Sequence, residues 1–298
     1  YQIMAEYFKT HGTLSHEMMR RTATNQINVD YTSEKNAMAS LRVALGITSI
    51  VSALFGNSAF SLGLPNGFKV YRLEVWNHTD PSRSGLIVEF TRPDRTFRDY
   101  LNYLLEMPLI FIVRQGRWLP VKSLNFRHFI KEGYQGIRAT LGDFELHLST
   151  AFPEVRLKQY LEIRGADCQK PELIPALAAF WKGILYEPET RQKAWELVAF
   201  ASEAERLSLH ASVPKQGLKA SLAGRPILPL AKELVDLACA SLGKQTQEDQ
   251  VGSECIFLSR LQEEILGPGK SPAEILLGQW KTELQEDPRQ LIRKLSIL

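Results

Sequence analysis

The sequence predicts an α+β protein, with an antiparallel sheet and flanking helices over residues 1–170 and a helical region over residues 171–298. Three observations carry this expectation. Polar and apolar residues alternate through Arg21–Tyr31, Phe144–Ser149 and Gln159–Arg164, the period-two pattern of half-buried strands. From Pro171 onward, apolar residues recur at three-to-four spacing in Leu173–Leu185, Pro188–Ala201, Pro229–Leu242, Cys255–Leu266 and Ser271–Leu284, as on amphipathic helices. Strands come first and helices after, instead of alternating with them, which is the α+β order.

The remaining elements follow from local signals. Leu109–Val113 and Arg117–Val121 flank Gln115-Gly116 and read as a β-hairpin. Ser33 is placed to cap a helix over Glu34–Phe55, and Thr96–Leu105 reads as a second helix. Val213–Pro226, Gly243–Ser253 and Gly267–Pro272 are rich in Gly, Pro or polar residues and read as breaks. Neither GxGxxG nor GxxxxGK[ST] occurs, so a nucleotide would not be held by a Rossmann turn or a P-loop.

Composition narrows the partners. The 298 residues carry 36 basic and 33 acidic side chains, a net charge of +3. That balance lacks the dense basic face nucleic acid requires, and no cluster of like charge suits a membrane surface. The run Val43–Phe55 is interrupted by Gly46, Thr48 and Ser49 and reads as a buried helix instead of a span. Cys168, Cys239 and Cys255 are far apart with no C-x-x-C pair, which argues against a disulfide framework or zinc cluster and points to a reducing cytoplasm. Nothing in the pattern encodes an oligomeric state. The chain opens at Tyr1, with Gln2–Phe8 reading like the middle of an element, so a preceding segment is expected.

Three segments could carry chemistry. In Arg21–Asp30, strand geometry puts Thr24, Gln26, Asn28 and Asp30 on one face. That is either the solvated face of an antiparallel sheet or a set of short ligands for Mg²⁺ or phosphate. In Phe152–Gly165, Glu162 and Arg164 point the same way, opposite Leu161 and Ile163. They form either a surface ion pair or a metal ligand beside a phosphate partner. In the third, Arg72 emerges after a Gly- and Pro-rich loop. It stacks one turn from Trp76 if the segment is a helix, and shares a face with Glu74 if it is a strand. The histidines His11, His16, His78, His128, His147 and His210 show no metal-ligand spacing. His147 is expected on the polar side of its strand with Glu145 and Ser149. Phe180, Trp181, Trp195 and Trp280 read as core.

At these segments the sequence resembles the plant and proteobacterial type of glutamate–cysteine ligase. The likeness runs in order through Tyr1-x-Ile3-Met4, Gly12-Thr13-Leu14, Arg21-Thr22, Gln26-x-Asn28-x-Asp30, Asn57-Ser58, Pro65-Asn66-Gly67-Phe68, Thr79-Asp80-Pro81, Phe152-Pro153-Glu154-Val155-Arg156-Leu157-Lys158 and Tyr160-Leu161-Glu162-x-Arg164-Gly165-Ala166-Asp167. It fades to helical pattern beyond Glu187. It implies a glutamine-synthetase-like antiparallel catalytic sheet lining a site for ATP, Mg²⁺ and glutamate. There ATP phosphorylates the glutamate γ-carboxylate, and cysteine attacks the acyl phosphate in the first step of glutathione biosynthesis. By matching position, Gln26 and Asn28 look like metal or nucleotide contacts and Glu162 like a metal ligand. Arg164 looks like the partner of the transferred phosphate and Arg72 like a clamp on glutamate, with Asn57, Ser58 and Arg156 as further substrate contacts.

Three departures bear on that likeness. The family's two glutamate-rich metal motifs would lie upstream of Tyr1, so this chain by itself is expected to be incomplete. Cys168-Gln169-Lys170-Pro171 replaces a Gly-Gly-Pro-Trp-Arg-Arg stretch, and Ile110 stands where relatives often carry a tyrosine near the substrate pocket. The last two leave open a ligase of the same fold that uses another amine. A degenerate, non-catalytic relative is the rival of a different class.

Overall fold

The computed structural model describes residues 1–245 and 253–296. Three short strands form its central antiparallel sheet: β1 (Ile27–Val29), β2 (Val155–Leu157) and β3 (Leu161–Ile163), in the order β1-β3-β2. The register gives Ile27, Ile163 and Val155 as one row, Asn28, Glu162 and Arg156 as the next, and Val29, Leu161 and Leu157 as the third. Side chains alternate across a sheet. The outer rows therefore send apolar groups into the core, and the middle row carries its polar groups to the opposite face.

Helix α1 (Glu34–Leu54) packs behind the apolar face. Ser33 Oγ accepts the Asn36 N–H at 3.2 Å as its cap. This helix is long and apolar enough to cross a membrane, but 83% of its most apolar window is buried inside the protein, which is the setting of a core helix. Helix α2 (Tyr71–Asn77) abuts the polar side, and α3 (Ile174–Leu185), α4 (Glu203–Gln216) and α5 (Ile227–Gln245) complete the main layer. Gly183 lets α3 and α5 touch, since a Cβ there would lie 2.5 Å from the Ala238 carbonyl oxygen. One apolar cluster joins Val29, Leu41, Ile50, Ile163, Trp181, Leu209 and Leu234, so the core is continuous across residue 170.

Several expectations need correction. Phe144–Ser149 is not a strand but lies largely in a helix, Leu141–Leu148, whose Thr140 and Asp143 form a reciprocal capping box. Six residues fit either period, and the capping box decides for the helix. His147 is accordingly buried, with Nε2 2.8 Å from the Leu104 carbonyl oxygen, and burial lowers its pKa to about 4. Of Arg21–Tyr31, only Ile27–Val29 is strand, because Arg21 ends a helix that begins at Ser15. Helix α4 was not expected, although Ser202 and Glu205 cap it reciprocally. It runs through the start of the expected break at Val213. Cys255–Leu266 divides into a 3₁₀ turn, Glu254–Leu258, and a π turn, Leu261–Leu266. Part of the expected break Gly243–Ser253 lies outside the described residues. Cys239 and Cys255 form a disulfide and only Cys168 is free, against the expectation of no pairing. Cys239 lies on a helix and Cys255 on a turn packed against it, a juxtaposition that linear spacing does not reveal.

A buried ion pair ties the amino-terminal helix Gln2–Tyr7 to the body. Arg83 is fully enclosed, and its Nε donates to Asp80 Oδ2 at 2.7 Å. Tyr7 Oη donates to the same oxygen at 2.6 Å and accepts from Arg83 Nη2 at 2.9 Å. Burial alone would raise the Asp80 carboxyl, but hydrogen bonds from Tyr7, Ser82 and Arg83 and the Arg83 charge bring it down to about 2. An acid whose pKa is depressed by folding adds stability above its unfolded pKa and loses it as pH falls through the folded one. Asp80→Asn is expected to cost ~3–5 kcal/mol at neutral pH, because it leaves the Arg83 charge without its partner. It should also flatten the fall in stability between the ordinary 3.8 and about 2, which urea unfolding at stepped pH will measure.

Candidate active site

The polar face of the sheet is an arginine–carboxylate network. Glu162 Oε2 accepts from Arg156 Nε at 2.8 Å and from Arg164 Nη1 at 3.0 Å, and Arg156 Nη2 lies 2.6 Å away. All three side chains are almost wholly buried. Burial by itself would raise the Glu162 carboxyl, but the charges of Arg156 and Arg164 outweigh it and hold the group below its usual range. Arg156 is fully engaged, since its Nη1 also donates to the Ala151 carbonyl at 2.7 Å. Among the described residues it braces Glu162.

Arg164 has capacity left. Its Nη1 reaches exposed Gln26 Oε1 at 3.4 Å, and its guanidinium carbon lies 5.5 Å from the Trp76 ring and 5.7 Å from the Phe152 ring. Burial lowers the Arg164 pKa and neighbouring Arg156 lowers it further, with Glu162 acting against them. Asn28, also exposed, sits across from Glu162 in the register. The alternation read from Gln26 to Asp30 therefore places Gln26 beside a buried guanidinium and Asn28 across from the carboxylate that holds it.

Arg72 is on α2, as the helical alternative required, with its guanidinium carbon 5.7 Å from the Trp76 ring. Trp76 thus lies near both Arg72 and Arg164. Arg72 lines a cavity of about 300 Å³ with Asn57, Ser58, Arg21 and Asp167. Its Nε and Nη1 are buried and have no hydrogen-bond partner among the described residues. Burial lowers its pKa, and the nearby carboxylates of Glu154 and Asp167 oppose that.

Asn57 and Ser58 are held on Asp167. The Asn57 N–H and Ser58 Oγ each donate to Asp167 Oδ2 at 2.7 Å, and Ser58 Oγ accepts the Arg72 N–H at 3.0 Å. Burial pushes the Asp167 carboxyl up to about 6, against the lowering effect of the Asn57 hydrogen bond and of Arg72. Sequence reasoning assigned no role in the site to Asp167, Glu154 or Trp76. The signal available was their place in the matched blocks around Arg72 and Arg164. A larger cavity lies elsewhere, about 810 Å³ around Tyr7, His11, Pro108 and Ile110, and contains none of the eight expected site residues.

Chemically, the arrangement suits anions. Arg164 offers a charged, partly desolvated donor fork, and Arg72 offers a second one beside a small cavity. Magnesium takes six oxygen ligands, and among the described residues no group of three or more His, Cys, Asp and Glu side chains gathers as a metal site. Glu162 Oε1 is the carboxylate oxygen no arginine holds, with Lys158 Nζ 3.8 Å away. Together with the side-chain amide oxygens of Gln26 and Asn28 it is of the hard oxygen type that a magnesium ion would take.

A family model for glutamate-cysteine ligase family 2 matches residues 1–294. The chain belongs to that family. It is 34% identical over 298 residues to glutamate–cysteine ligase B, chloroplastic, of Oryza sativa subsp. japonica, covering 99% of this chain and 59% of that protein. It is 36% identical over 287 residues to the chloroplastic glutamate–cysteine ligases of Arabidopsis thaliana and Solanum lycopersicum, covering 94% of this chain and 54% of each of them. The chain thus spans little more than half the length of these relatives. Their names overturn the cytoplasmic expectation, since each is a chloroplastic enzyme. The sparse cysteines that suggested a reducing cytoplasm include a bonded pair.

Gly165 closes this family site from behind. A Cβ there would lie 2.7 Å from Thr48 Oγ1, 2.8 Å from Ser52 Oγ and 2.9 Å from Glu154 Oε2. Gly165→Ala is expected to cost ~1–3 kcal/mol through overpacking, read as a lowered midpoint in thermal unfolding.

Proposed function

We propose that the chain is the larger part of an ATP-dependent ligase that joins the glutamate γ-carboxylate to the amine of cysteine, the first step of glutathione biosynthesis. In this reading the polar sheet face is one wall of a glutamine-synthetase-like site. The observation that carries it is the placement of Arg164 and Arg72 against the same Trp76 ring, with Gln26, Asn28 and Glu162 beside the first and the Asn57–Ser58 cavity beside the second.

A γ-carboxylate oxygen attacks the γ-phosphorus of ATP and ADP departs. The free amine of cysteine then attacks the acyl carbon, phosphate leaves, and the nitrogen gives up a proton. Neither step needs a protein nucleophile, and both need negative groups held together. Arg72 takes a glutamate carboxylate, Arg164 the transferred phosphoryl group, and Gln26 and Asn28 contact the nucleotide or its metal. Mg²⁺, held in part by Glu162, Gln26 and Asn28, would offset phosphate charge. The names of the relatives make the plastid the compartment in this reading.

A second reading, a ligase of this fold with another amine, is favoured by the departures at Cys168-Gln169-Lys170-Pro171 and at Ile110, which lines the larger cavity with Tyr7 and His11. A coupled ATPase assay on the full-length protein, with glutamate and with or without cysteine, separates the two. Cysteine-dependent turnover is expected, and turnover indifferent to cysteine but stimulated by another amine would replace the assignment. In the same assay Arg164→Ala should abolish acyl-phosphate formation with the fold retained, because Glu162 keeps Arg156. Arg72→Ala should raise the glutamate KM about a hundredfold through loss of a charged hydrogen-bonding partner, and an unchanged KM would remove the clamp.

A further inference from the structure

Behind the site, buried polar atoms converge that no step above uses. Thr48, Ser49 and Ser52 interrupt the apolar surface of α1, and all three are buried. Ser49 Oγ lies 2.9 Å from His210 Nδ1 on α4. Opposite them, Glu154 is 3% exposed, and its Oε2 has no hydrogen-bond partner among the described residues. The same holds for Thr48 Oγ1, His210 Nε2, Asp167 Oδ1 and the two Arg72 nitrogens. The charge of Glu154 acts on both Arg72 and His210. Thr48 Oγ1, Ser52 Oγ and Glu154 Oε2 all surround the position a Cβ of Gly165 would take.

An ionised group this deep is retained only where an opposite charge or hydrogen bonds offset its desolvation. Arg72 has two unpartnered donor atoms, while Glu154 and Asp167 each have one unpartnered acceptor oxygen. Asp167 Oδ2 is already spent on Asn57 and Ser58, and burial has pushed that carboxyl up to about 6. Glu154 is therefore the carboxylate in a position to act as the standing counter-charge of Arg72. We infer that Glu154 is a positioning residue: from behind the site, too far for a direct hydrogen bond, it fixes the Arg72 guanidinium through a bridging water in the orientation that meets the substrate carboxylate. His210, whose pKa burial lowers and whose Nδ1 is anchored on Ser49, is within reach of the Glu154 charge.

This rests on the reading of Arg72 as the glutamate clamp, and the tests keep the two apart. In the full-length enzyme Glu154→Gln should raise the glutamate KM about tenfold or more, the equivalent of a charge-assisted hydrogen bond, with kcat and the ATP KM changed less than about twofold. A merely structural role would lower stability and kcat together instead. Glu154→Asp keeps the charge and retracts it by a methylene, so it should raise the glutamate KM by about threefold, and it serves alone where the Gln variant does not fold. A glutamate KM unchanged in the folded variants overturns the inference. If Arg72→Ala also leaves that KM unchanged, the clamp reading has failed. The link between the two residues is then judged by solvent exchange of the Arg72 Nε–H in ¹⁵N-labelled protein. Exchange about tenfold faster in Glu154→Gln supports the link, and equal rates overturn it.

Discussion

Three guanidinium groups, those of Arg72, Arg156 and Arg164, are packed into one desolvated neighbourhood. Like charges at this density repel strongly at low dielectric, and the repulsion is felt, since Arg156 and Arg72 both depress the Arg164 pKa. Only carboxylates at matching depth can hold such a group together, and Glu162, Glu154 and Asp167 are buried there. The register of the sheet, the close approach at Gly165 and the polar interruptions in α1 all serve that balance.

The balance is divided unevenly. Glu162 is shared between two arginines and holds both, so Arg156 and Arg164 form a rigid unit on the sheet in which only Arg164 keeps donors to spare. Arg72 has no such direct partner. Its carboxylates act on it without a hydrogen bond among the described residues, and two of its nitrogens stay unpaired. A guanidinium in that state has donors to spare for an anion, which makes the less satisfied arginine the better ligand-binding group. Trp76 offers its ring to both Arg72 and Arg164.

Chemistry through an acyl phosphate asks for this kind of scaffold more than for a reactive side chain. Crowded negative reactants must be drawn together, and charge developing in flight must be met by dipoles and cations already in place. The rigid pair on the sheet and the looser arginine on α2 correspond to the two halves of that requirement. The apolar back face keeps the wall dry, because α1, α3 and α5 cover it with one continuous core.

Much of this was legible in the residues. Alternation in Gln26–Asp30 and Leu161–Arg164 fixed which side chains share a face, because strand geometry is local. The Ser33 cap and the apolar run behind it gave α1 to within a residue, and the hairpin at Gln115-Gly116 formed as read. Phe144–Ser149 misled because six residues fit both periods and a cap had to decide. What no linear reading could supply was partnership. Glu154 and Asp167 carry no periodic or spacing signal, and their roles arise only where chain segments far apart in sequence bring Arg72 within range of them. The same is true of Cys239 and Cys255, paired by the packing of a turn on a helix. The sequence by itself determined local geometry and the polar face of the wall. Only tertiary structure decided which charges neutralise one another, because burial and distance are properties of the folded chain.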